Sequence, residues 1–141
     1  MTLYETTPAL QADLPEIYLD PADHEALSRL IGNHDGVAAT ALLRHELDRA
    51  TLCEGRDLPG DAVGLNRWVH YVDDRHVSSL RRVRLVLPWE ADIDAGCISV
   101  LSHVGAGLIG LREGQAIDWP DPAGSLRRLT PVLVEDPEDL V

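Results

Sequence analysis

The chain has 141 residues, a length that fits one domain with a small appendage, and its 45% hydrophobic content supplies enough apolar surface for a core. Its formal net charge is -12, from 24 acids against 12 basic residues that are all arginine. That charge repels phosphate backbones and anionic lipid alike, so the reading excludes broad nucleic-acid binding and attachment to acidic membranes.

Residues 1–15 contain two prolines and no apolar period, and read as a lead-in. Residues 17–19 suit a short strand. Asp20 is then a good N-cap, Pro21 fits the first helical position, and Asp23 and Glu25 favour the positive helix end. Leu27, Leu30 and Ile31 form the apolar stripe, and Gly32-Asn33 is the stop. A turn at Asn33-His34-Asp35-Gly36 leads to a second helix over 37–52, with Leu43, Leu47 and Ala50 on one face. Two short helices joined by a tight turn predict an antiparallel helical hairpin.

After Gly55 the period changes. Strand-type residues run from Val63 to Val72, and Asp73-Asp74 reads as a turn. Val83, Leu85 and Leu87 alternate with Arg82, Arg84 and Val86 in a half-buried strand, and 97–101 is a further strand. Ser102 is placed to cap a short helix carrying Val104, Leu108, Ile109 and Leu111. Residues 116–119 and 129–134 flank a Pro-Gly-bounded turn as a final hairpin, and the acidic tail from Glu135 reads as frayed. The predicted class is α+β, with a helical hairpin over 16–52 and an antiparallel sheet with one short helix over 53–141.

The run Leu85-Val86-Leu87-Pro88-Trp89-Glu90-Ala91-Asp92, followed by Ile98-Ser99-Val100-Leu101-Ser102-His103-Val104-Gly105-Ala106-Gly107-Leu108-Ile109-Gly110-Leu111, resembles the carboxyl-terminal domain of the GreA/GreB transcription factor family. His45-Glu46-Leu47-Asp48-Arg49-Ala50 resembles the end of that family's second coiled-coil helix, and the likeness spans about residues 16–138. The short hairpin and the Leu85–Asp92 run resemble the regulator of nucleoside diphosphate kinase branch of the family. The resemblance implies an FKBP-like carboxyl-terminal domain. It also implies docking on RNA polymerase at the rim of its secondary channel, with the hairpin pointing inward, and a cytoplasmic protein with no cofactor. On this reading Ser102, His103, Val104, Gly105 and Gly107 contact the partner, and His34 and Asp35 form the hairpin tip.

Two departures matter. His103 stands where the family pattern has proline, which would have fixed the backbone before the short helix. In cleavage-stimulating Gre factors, tip carboxylates help hold a second magnesium ion, which needs oxygen ligands in near-octahedral geometry. Asp35 is a lone acid on a short hairpin. A regulator without chemistry of its own is therefore expected, ahead of a cleavage-stimulating factor. A prolyl isomerase would need an aromatic-lined pocket, and this chain has no Phe.

The other candidates have plain structural readings. Asp-Gly at 35–36 is ordinary turn chemistry. Asp92, Asp94, Asp73, Asp74 and His76 lack the spacing of a ligand set and read as solvated loops. Gly105 and Gly107 admit either a close partner or close helix–sheet packing. Arg81, Arg82 and Arg84 form the densest basic cluster, and Arg82 and Arg84 share one strand face, read first as solvated and otherwise as meeting acid on a partner or balancing the protein's own carboxylates. Cys53 and Cys97 form no CxxC pair and read as small apolar-environment residues. Trp68, Trp89 and Trp119 are too scattered for a base-stacking platform and are read as anchors of the sheet or of an interface.

Overall fold

Asp20 begins the first helix as its sequence demands: the carboxylate accepts the Ala22 amide at 2.7 Å and Pro21 opens the helix. In this computed structural model, which describes residues 14–33, 38–74, 80–121 and 123–136, that helix is α1, Pro21–Gly32. Its apolar stripe of Leu27, Leu30 and Ile31 is buried, each contributing about 1.5–3 kcal/mol by leaving water. The Asp23 carboxylate accepts the Leu65 amide at 3.2 Å and ties the first turn of α1 to the loop ahead of the sheet. Burial holds that carboxyl above its ordinary pKa, with the Leu65 bond acting in the opposite direction.

The second helix, α2, runs Ala38–Arg49 and packs on α1. It stops three residues short of the predicted end at 52. Thr51–Leu52 is instead the strand β2, paired in parallel with β1, Tyr18–Leu19, so that backbone pairing overrides the helical period. The hairpin tip residues His34 and Asp35 lie outside the described residues.

Glu46, on α2, has a fully buried side chain. Arg49 holds it with Nη2 to Oε1 at 2.6 Å and Nε to Oε2 at 3.0 Å, and Arg49 also donates to the Pro15 carbonyl. One guanidinium thus neutralises a buried charge and pins the chain leading into β1.

A five-stranded sheet follows in the order β5-β4-β3-β7-β6. The strands are β3 Trp68–Asp73, β4 Arg81–Val86, β5 Cys97–Ser99, β6 Ile117–Pro120 and β7 Leu126–Val134. The pairs β3–β4, β3–β7 and β6–β7 are antiparallel, whereas β4–β5 is parallel. The expectation of a wholly antiparallel sheet is corrected at that pair. Residues 87–96 cross back through two 3-10 turns, Pro88–Glu90 and Ile93–Ala95, and deliver β5 in the same direction as β4.

The short helix α3, His103–Leu108, lies against β6 and β7. Leu108, Ile109, Leu111, Trp119, Leu129 and Leu85 are buried with Leu27, Leu43 and Leu47 in one cluster, so helices and sheet share a core across residue 52. Residues 62–63 run beside 110–112: the Val63 amide donates to the Leu111 carbonyl and the Gly110 amide to the Val63 carbonyl, each at 2.8 Å.

The chain leaves the sheet under restraint. The Glu135 amide donates to the Trp68 carbonyl at 2.9 Å. Its carboxylate accepts His70 Nε2 at 2.6 Å and Arg82 Nε at 2.7 Å. The predicted frayed tail therefore does not begin at Glu135; residues 137–141 lie outside the described residues. No helix among the described residues is long and apolar enough to cross a membrane.

Candidate functional site

The segment from β5 through α3 builds one wall of a groove of about 890 Å³. Ser102 sets the geometry of that wall. Its Oγ donates to the Ser99 carbonyl at 2.7 Å and accepts the Gly105 amide at 3.0 Å, which closes the turn after β5 and caps α3. His103 and Val104 follow directly, half-buried, and both face the groove.

Gly105 and Gly107 do not face it. Both are buried. A Cβ on Gly105 would stand 2.4 Å from the Ser99 carbonyl oxygen and 2.9 Å from Val100 Cα. One on Gly107 would meet Leu129 Cδ1 and the Trp119 ring at 2.9 Å. Of the two readings open in the sequence, the geometry gives packing: α3 can sit this close to β5, β6 and β7 only because these positions lack side chains.

The opposite wall comes from the sheet. In β3 the side chains of Val69, Tyr71 and Asp73 point inward, since alternate residues share a face. Arg81 lies directly across from Tyr71, and Val83 across from Val69, so both share that inward face. Arg127 lies opposite the buried Trp119 and reaches Asp73, forming an ion pair. Asp73 is only 2% exposed, which corrects its reading as a solvated turn residue. Asp74 does sit at the surface, accepting the Arg128 amide at 3.0 Å, and His76 lies outside the described residues. Burial pushes the Tyr71 hydroxyl above its ordinary pKa; the Arg81 charge acts against that shift, Asp73 reinforces it, and Arg127 also opposes it.

The outward face of the same strands is engaged internally. Arg82 stacks on Trp68, with Cζ 3.9 Å from the ring centroid, and also binds Glu135. Arg84 Nε donates to the Asn66 carbonyl at 3.2 Å. For Arg82, balancing the protein's own carboxylate is therefore the observed role.

Trp89, in the 3-10 turn Pro88–Glu90, is 70% exposed, and Ile93, which lines the groove, is 85% exposed. Asp92, beside it, caps the 3-10 turn by accepting the Ala95 amide at 3.4 Å. Among the described residues no group of three or more His, Cys, Asp or Glu side chains is placed to hold a metal ion, and Cys53 and Cys97 are free thiols. Tyr71, Ile93 and Arg127 are the groove residues that sequence reasoning missed. Ile93 alone carried a signal, as a large apolar residue between two aspartates in a loop.

Residues 58–135, which include the whole of this groove, match the family described as transcription elongation factor, GreA/GreB, C-term. The regulator of nucleoside diphosphate kinase of Escherichia coli (strain K12) is 33% identical over 126 residues, covering 86% of this chain and 90% of that protein. Transcription elongation factor GreA of Syntrophobacter fumaroxidans is 43% identical over a shorter span of 53 residues, 38% of this chain and 34% of that protein. A solved structure, the prokaryotic transcription elongation factor GreA/GreB from Nitrosomonas europaea, superposes with a TM-score of 0.66 at 30% identity, covering 85% of this chain and 98% of that one. Sequence and fold agree, and the chain belongs to the GreA/GreB transcription elongation factor family.

Proposed function

We propose that the protein is a non-catalytic transcription regulator that docks on RNA polymerase at the rim of the secondary channel and competes there with cleavage-stimulating Gre factors. The observation that carries this reading is the groove itself, built in part from the family's most characteristic run and edged by the exposed Ile93. An exposed apolar rim beside a concave, largely preformed surface is what a protein-binding site requires. On this reading Ser102, His103 and Val104 touch the partner, while Gly105 and Gly107 act from beneath by letting α3 lie flat. Residues 53–141 form the docking unit, of FKBP-like type, and 16–52 an antiparallel hairpin rooted in the same core.

The hairpin argues against a cleavage role. Each helix has 12 residues, a length of about 18 Å. Between Asn33 and Ala38 the sequence offers a single acid, Asp35. One carboxylate on so short an arm is a poor means of carrying a second magnesium ion to a distant active site. The test is affinity for purified bacterial core RNA polymerase, measured together with transcript cleavage in backtracked elongation complexes. Tight binding with no acceleration of cleavage is expected. Absence of binding, or strong magnesium-dependent acceleration, overturns the reading.

A further inference from the structure

The groove is charged against the grain of the molecule. The chain carries 24 acids and 12 arginines, yet three arginines and no acid line the groove. They are Arg81, Arg82 and Arg127, interleaved with apolar Val83, Ile98 and Val104. Arg82 is engaged by Glu135 and Trp68. The other two bracket the Tyr71 position at one end of the sheet's inward face.

Those two differ in a useful way. Arg127 is mostly buried and paired with Asp73, but its Nε is buried with no hydrogen-bond partner among the described residues. A buried donor without an acceptor is destabilising, so that guanidinium has hydrogen-bonding capacity the protein does not use, on a residue that lines the groove. Arg81 is exposed and makes no ion pair among the described residues. Two guanidinium groups against one carboxylate leave that end of the groove with a net positive charge of about one unit.

We infer that Arg81 and Arg127 form a carboxylate-recognising end to the groove, and that the segment docking there is an acidic stretch of polymerase with an apolar side chain beside the acid. The acid faces the two guanidinium groups, and the apolar side chain lies on Val83, Ile98, Val104 and Ile93. A segment of this kind is attracted locally even though the whole protein is acidic, which selects this face over the rest of the surface. The inference rests on the polymerase-docking reading and adds the chemistry of the partner.

Arg127→Met would leave Asp73 buried without its partner and would confound folding with binding. Arg81, being exposed, is the better probe. The full chain, its Arg81→Glu and Arg81→Lys variants, and an Arg56→Glu control in the exposed 3-10 turn Gly55–Asp57 are titrated against purified core RNA polymerase. Melting temperatures are recorded alongside. The expected result is binding weakened tenfold or more by Arg81→Glu and less than threefold by Arg81→Lys and Arg56→Glu, with all melting temperatures alike. Unchanged or tighter binding by Arg81→Glu overturns the inference while leaving the docking reading intact. Equal weakening by Arg81→Glu and Arg56→Glu also overturns it, because that is the signature of overall charge. Failure of the unaltered chain to bind removes the docking reading, and the inference with it.

Discussion

Replacing Gly105 with alanine puts a methyl group where the structure has none to spare. The new Cβ would lie 2.4 Å from the Ser99 carbonyl oxygen and 2.9 Å from Val100 Cα. Both are backbone atoms, so no rotamer change relieves the clash; α3 must lift from β5 or the turn at Ser102 must open. Overpacking of this kind costs about 1–3 kcal/mol, and a backbone obstacle places the cost near the upper end. Alanine recovers about 1 kcal/mol of helix propensity over glycine. The net loss is then ~2 kcal/mol, which for a chain of this size lowers the melting temperature by about 8 °C. Gly60→Ala is the matched control, with nothing within 4 Å of its Cβ, and should change stability by less than about 0.5 kcal/mol. Thermal and denaturant unfolding followed by circular dichroism gives both numbers. A Gly105→Ala protein that melts within about 2 °C of the parent would refute the close packing of α3.

Arg49→Met removes the guanidinium that holds the buried Glu46 carboxylate and should destabilise by about 3–5 kcal/mol, read from the denaturation midpoint; a loss under about 1 kcal/mol would show that the charge is not held as described. Glu135 sets an acid limit. Hydrogen bonds from Arg82 and His70 lower its pKa from 4.5 to about 2, so its stabilising contribution is present above pH 4.5 and is lost as the pH falls through about 2. Glu135→Gln should therefore flatten the stability profile between those pH values, and a profile identical to the parent's would contradict that assignment.

Local chemistry was the legible part of the fold. Asp20 and Ser102 mark their helix starts through hydrogen bonds that reach two or three residues, and Pro21 through its fixed φ, so the sequence alone carries them. β4 was legible as a strand, but its burial rises from Arg81 to Val86 instead of alternating, and Val86 is buried along with Leu85. What escaped was decided at long range. The helical pattern through Ala50 and Leu52 continues past the true end of α2, and only the pairing with residues 18–19 ends it. The parallel β5 depends on a crossover that looks like a string of turns until its destination is known. Asp73 reads as a solvated acid because exposure is the common fate of acids, and nothing singled out Glu46 as buried. The i,i+3 spacing of Glu46 and Arg49 was the available signal for one, while the partner of Asp73 is Arg127, far along the chain.

The candidate site was legible in one wall only. Ser102, His103 and Val104 are contiguous, and their resemblance to the family singled them out. Tyr71, Arg81 and Arg127 come from three strands, and only the register of β3 with β4 and of β6 with β7 brings them to one face. Gly105 and Gly107 carried two meanings in sequence, and the distances from their missing side chains to the sheet supply the packing one.

The most direct measurement of the central claim is a competition. Backtracked elongation complexes are supplied with a cleavage-competent Gre factor, and this protein is titrated in while the rate of RNA cleavage is followed. A docking regulator without cleavage activity lowers that rate in a saturable way, is overcome by excess Gre factor, and alone produces no cleavage above the intrinsic rate. Cleavage that rises with added protein, or a rate that stays flat at saturating concentration, would contradict the account.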